Sequence, residues 1–171
     1  MKIASFVLCS QVVFDVFTNQ CSALNIADAI NVAPVKVKNA YNEATRDAKY
    51  IMENWTLLAC LLADEGEVEN EYEARFVLIT HEGSVLPPAV TYKFTLQNPT
   101  HRVAHQTGLC TFRTEGLYAF GFEIRRSHEQ EWSCLSTLNF RIVPIDAPVV
   151  ELDASQMQRH QGVASQEEVR D

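Results

Sequence analysis

Glu115-Gly116-Leu117-Tyr118-Ala119-Phe120-Gly121-Phe122-Glu123-Ile124 decides the fold. A turn signal at Glu115-Gly116 leads into Tyr118, Phe120, Phe122 and Ile124, which alternate with smaller or polar residues. Successive side chains of a strand point to opposite faces, so this alternation describes a strand with one face buried. The preceding stretch from Arg75 onward repeats such runs between turn signals, which is the spacing of an all-β domain.

Gly116-x-Tyr118-x-Phe120 is also the local pattern by which an immunoglobulin-like sandwich enters a late central strand, the tyrosine ring folding back on the corner. The chain is therefore expected to be mainly β: an immunoglobulin-like antiparallel β-sandwich. With 171 residues it can bury one core, and a second full domain is not expected. The expected organisation is one domain over residues 1–150 and a polar, disordered tail over 151–171, where Gln, Glu and Ala dominate. Apolar residues at 47% exclude wholesale disorder, and a net charge of −8 argues against a nucleic-acid binder, which must neutralise phosphates.

Working back to the amino terminus, Ile3 to Cys9 is apolar enough to suggest a signal segment. Ser10-Gln11 breaks the run, Val12-Val13-Phe14 resumes it, and Asp15 follows without a small-x-small cleavage site. Leu8 stands where a lipoprotein site needs a small residue. Residues 2–16 thus read as a core strand, Phe17-Thr18-Asn19-Gln20 as a turn and Cys21 to Ile26 as its partner. No apolar run reaches the roughly 20 residues of a membrane helix, and a cytoplasmic location is expected. Cys9, Cys21, Cys60, Cys110 and Cys134 show no C-x-x-C pair and sit among apolar neighbours, as buried reduced thiols do. An inter-sheet disulfide from Cys60 to Cys110 or Cys134 would require export.

Phe6-Val7-Leu8-Cys9, Val12-Val13-Phe14-Asp15, a polar turn, Ala23-Leu24-Asn25-Ile26, Asp28 and Ile30, with the later Gly116-Leu117-Tyr118-Ala119-Phe120, resemble a family of uncharacterised bacterial β-sandwich proteins of immunoglobulin-like kind, over about residues 1–144. The resemblance implies a fold and a non-enzymatic role, and carries over no catalytic residues.

Residues 33–56 depart from strand periodicity. Val35-Lys36-Val37-Lys38 alternates like an edge strand blunted by lysines. Tyr41, Ala44, Ala48, Ile51 and Trp55 then recur at i, i+3, i+7, i+10 and i+14, with Glu43, Arg46, Asp47, Lys49 and Glu53 opposite. This predicts one inserted α-helix over about 39–54, capped by Asn39. Its apolar stripe either lids the sandwich or docks a protein partner, a second copy included.

Trp55 to Leu62 is apolar on both faces and reads as a central strand; Val85 to Val90, with Pro87-Pro88, reads as an edge. Gly108 is expected to interrupt the segment from Arg102 to Phe112.

Chemistry-bearing residues form no complete set. Six carboxylates between Asp64 and Glu73 could hold a hard cation, but their spacing is not that of an EF-hand and suits a solvated loop. His101 and His105 have a zinc-like i, i+4 spacing without a third ligand or the protease glutamate, and surface placement is expected. A Cys110 nucleophile would need His105 or His101 as its base, against strand parity. His101, His105, Arg113 and Arg125 could instead gather around a small anion or nucleotide; the competing reading pairs Arg113 and Arg125 across strands with Glu115 and Glu123. The residues favour a non-catalytic interaction or accessory module that uses no cofactor or metal and binds neither nucleic acid nor membrane. A small-anion-binding protein is the alternative.

Overall fold

The structure, a computed structural model, describes residues 1–15, 20–39, 47–86 and 90–153. Two sheets face each other across one core. The first is four-stranded, β2 (Gln20–Ile26), β1 (Lys2–Asp15), β5 (Thr56–Leu62) and β9 (Thr100–Gln106), in that order. The second runs β10 (Leu109–Phe112), β4 (Tyr50–Glu53), β3 (Ala29–Lys38), β12 (Ser133–Pro144), β11 (Gly116–Arg126), β6 (Glu71–Ile79) and β7 (Val85–Leu86). β8 (Thr91–Thr95) also pairs with β6, and β13 (Val150–Asp153) lies parallel to β3. Among the described residues no helix is long and apolar enough to cross a membrane.

The alternation of the opening stretch sets the core. Tyr118, Phe120, Phe122 and Ile124 of β11 point inward beside Tyr72, Ala74 and Phe76 of β6, and meet Leu8, Leu57, Ala59, Leu61 and Val103 of the facing sheet. Phe6 bridges the two layers, its ring 5.9 Å from Phe76 and 6.1 Å from Phe122. The Tyr118 hydroxyl donates to the Thr114 carbonyl at 3.0 Å, tying the entry corner of β11 to its own strand.

One side of the sandwich is joined by a bent ribbon. β4 continues into β5 and β10 is continuous with β9, so a single antiparallel ladder runs from Tyr50↔Phe112 to Leu62↔Thr100 without losing register. At the bend Asn54 N–H donates to the Gly108 carbonyl at 3.1 Å, and Thr107 N–H to the Trp55 carbonyl at 2.8 Å. Asn54 (φ 57°) and Gly108 (φ 58°) take the left-handed conformation there. Strands that change sheets need such a corner, and Asn and Gly tolerate it best.

This ribbon overturns the predicted helix where it can be followed. The expected helix covered about 39–54, but Tyr50–Glu53 is strand β4, paired with both β10 and β3. Ile51 and Met52 are both buried, facing opposite ways: Ile51 into a satellite cluster with Val35, Ala48 and Leu109, Met52 into the main core. A strand buries neighbours on two faces at once, and partners on both sides outweigh helix periodicity. Tyr41 and Ala44 lie outside the described residues. Ala48 and Ile51, expected on a docking stripe, are satellite core, and Trp55 is half-buried against the main core.

Three smaller expectations change too. β3 is no edge: β12 and β13 flank it along different lengths, and Lys38 pairs with Glu151 at 2.5 Å. Glu151, Leu152 and Asp153, assigned to the tail, form strand, while 154–171 lie outside the described residues. Cys134, expected to be buried, is exposed.

Candidate functional site

The two histidines face inward. His101, Val103 and His105 share the core side of β9, and meet Tyr92 and Phe94, the inward pair of β8. Phe94 stacks on His101 at 4.2 Å between ring centres, and Phe76 stacks on His105 at 5.7 Å. The Tyr92 hydroxyl and His105 Nδ1 share a hydrogen bond of 2.6 Å. Burial pushes both imidazoles below their ordinary value and the Tyr92 hydroxyl up to about 12. Burial thereby favours the uncharged form of both rings, which fill the seam between β8 and β9. The expected surface placement fails because odd positions of β9 are the inward ones.

Arg125 lies on the outer face of the other sheet. Its Nε and Nη2 donate to Glu73 Oε2 at 2.8 and 2.5 Å, and Nη1 donates to the Gln130 carbonyl at 3.2 Å. Lys93 joins Glu73 from β8 at 2.9 Å, and Arg75 donates to Glu123 at 2.6 Å. These are directly opposed positions in the register, where charge pairs act across strands. Trp132 folds back over the ladder, 4.0 Å from the Arg75 guanidinium and 4.4 Å from that of Arg125. Glu73 is only 6% exposed, and bonds from Lys93 and Arg125 hold its carboxyl below the usual range. Arg113 is elsewhere, 3.9 Å from Asp47 near the satellite cluster. His101, His105, Arg113 and Arg125 therefore do not converge on an anion. The cross-strand reading holds for Arg125 with a different partner, Glu73 in place of Glu123, whereas Arg113 lies outside the strands and meets Asp47 rather than Glu115.

The acidic stretch is likewise dispersed. Glu65–Glu67 forms a short turn, Glu67 pairs with the Met1 α-amino group, and Glu73 belongs to the ladder. Among the described residues no group of three His, Cys, Asp or Glu side chains is placed to hold a metal ion. Glu69, Asn70, Glu71, Ser127 and His128 line only a shallow, open hollow. The Cys110 thiol sits 3.7 Å from the Thr107 carbonyl, and burial pushes it up to about 11, far from a thiolate nucleophile.

No family model matches this chain, and no curated protein matches it.

A surface that sequence reasoning missed lies on the arm formed by β1 and β2. β5 pairs with β1 only as far as Cys9↔Thr56, whereas β2 pairs with β1 from Cys9 to Asp15. Cys21 lies beside Cys60 and Arg102, with burial raising its thiol, so one face of the arm turns toward the outer side of the first sheet. On the other face Val13, Leu24 and Ile26 are 45%, 43% and 63% exposed. They share that face by register, since Val13 opposes Ser22 and Cys9 opposes Ile26. The signal was present: this apolar run is longer than the strand that covers it.

Proposed function

We propose that this chain is a non-catalytic interaction or accessory module built on an immunoglobulin-like sandwich and working in the cytoplasm. The observation that carries the reading is the arm, where exposed Val13, Leu24 and Ile26 share one face with the uncharged Gln11 and Ser22. Contiguous exposed apolar surface with polar surroundings marks contact sites. Of the side chains that could hold an anion, His101 and His105 are engaged in the seam, Arg125 in the ladder and Arg113 with Asp47.

Two features support the immunoglobulin-like assignment. The neighbours β1-β5-β9 and β12-β11-β6-β7 follow the A-B-E and G-F-C-C′ order of that architecture, and the Tyr118 bond to Thr114 has the form of its tyrosine corner. The cysteines are free thiols, which suits a reducing compartment.

A photo-activated cross-linking residue at position 13 or 24, compared in cells with one at exposed Glu65, tests the module. Adducts to a defined protein from the arm positions alone are expected. Equal labelling from all three positions would overturn the reading.

A further inference from the structure

The arm also carries the identity of a partner. β2 has seven residues, Gln20–Ile26, none with a formal charge, and among the described residues its side away from β1 is a free sheet edge. Among the described residues the other free edges are guarded or short: the β5 side of β1 beyond Cys9 ends in Asp15, β9 carries Arg102, β8 Lys93 and β13 Glu151 and Asp153, while β7 has two residues and β10 four. Charges and shortness are what keep edge strands from pairing with another chain. β2 lacks both.

The hydrogen bonding of the arm is incomplete as well. Among the described residues the ladder beyond Cys9 consists of β1 and β2 alone, and a third strand would add the hydrogen bonds that a two-stranded ribbon lacks. Any copy of this chain carries a net charge of −8, so a contact between two copies must avoid setting like charges opposite one another. β2 against β2 meets that condition.

We infer that β2 pairs antiparallel with β2 of a second copy across a two-fold axis perpendicular to the sheet. The two four-stranded sheets then become one continuous sheet through the pair. Antiparallel neighbours directly opposite one another share a face, so Leu24 and Ile26 of both copies lie on the same side with Val13 flanking them. This isologous contact closes after two copies and forms no fibre. It rests on the module reading above and names that module's partner.

Light scattering on the full chain tests the inference, with Leu24→Lys and Ser22→Lys as variants. The unmodified chain is expected at twice its protomer mass. Each variant brings two lysines near one another across the axis and is expected to weaken the dimer several-fold, with its β-sheet circular dichroism unchanged. Mixing Leu24→Lys with Leu24→Glu is expected to restore the doubled mass. Should Leu24→Lys fail to fold, Ser22→Lys, at an exposed position, decides alone. A monomeric unmodified chain overturns self-pairing, and an arm-specific adduct to another protein would leave the module reading standing. A dimer indifferent to both lysines also overturns the inference, because its interface is then elsewhere.

Discussion

Replacing Gly121 by alanine tests how closely the outer face of the second sheet is packed. Gly121 is the centre of β11 and stands opposite Val77 of β6. A Cβ added there would lie 2.9 Å from Val77 Cγ2, 3.6 Å from Ile79 Cδ1 and 3.9 Å from Cys134 Sγ. Carbon atoms rest at about 3.5–4.0 Å, so Val77 must retreat by roughly 0.6 Å or more. It is poorly placed to do so, being 2% exposed and branched at Cβ, which leaves little rotamer freedom. Overpacking of this kind costs about 1–3 kcal/mol. Removing a strand glycine returns about 0.5–1 kcal/mol, for a net destabilisation of about 1 kcal/mol, or roughly 2–4 °C in Tm. Urea denaturation of the unmodified chain, Gly121→Ala, Val77→Ala and the double variant gives the coupling directly. Val77→Ala removes the obstructing methyl, so the double variant should be more stable than the sum of the single losses by about 1 kcal/mol. Additivity within about 0.5 kcal/mol, or a Gly121→Ala chain as stable as its parent, would refute the reasoning.

Two tyrosines give a paired test, since the Tyr118 hydroxyl donates to Thr114 while the buried Tyr72 hydroxyl has no hydrogen-bond partner among the described residues. Tyr118→Phe should cost about 1 kcal/mol and Tyr72→Phe should be neutral or stabilising; equal losses in urea midpoint would contradict both assignments. The seam histidines make stability acid-sensitive. Burial lowers both below the ordinary value of 6.5, so the unfolded chain binds protons that the native chain resists, and stability falls as pH drops through 6.5. Between about pH 7 and 5, above the range of ordinary carboxylates, the fall should shrink in a His101→Phe, His105→Phe double variant. Parallel pH profiles for the two proteins would disprove the assignment.

Much of the fold was legible along the chain. The inward set of β11 follows from Tyr118, Phe120, Phe122 and Ile124 alone, because a period of two admits one buried face. The central place of β5 follows from Leu57, Leu58, Ala59 and Leu61, since apolar residues on both faces demand cover on both. Gly108 was legible as a break, and its partner in the bend, Asn54, was not, because asparagine marks many kinds of turn. The helix failed for a reason visible in its own stripe: Ile51 fits both a helical and a strand period, and the run is short enough for neighbours to choose.

Local pattern determined what could be decided by one residue and its sequence neighbours: strand periodicity, the tyrosine corner, the turns and the acidic surface. Tertiary structure alone decided what depends on partners distant in sequence. It placed His101 and His105 inside a seam, because β8 happens to face β9 there. It gave Arg125 to Glu73 through a register set 52 residues apart. Among the described residues it left β1 beyond Cys9 with β2 as its one neighbour, because β5 stops pairing with β1 at Cys9. Hydrophobic period is a property of a segment, whereas burial, charge pairing and a free edge are properties of what is packed beside it.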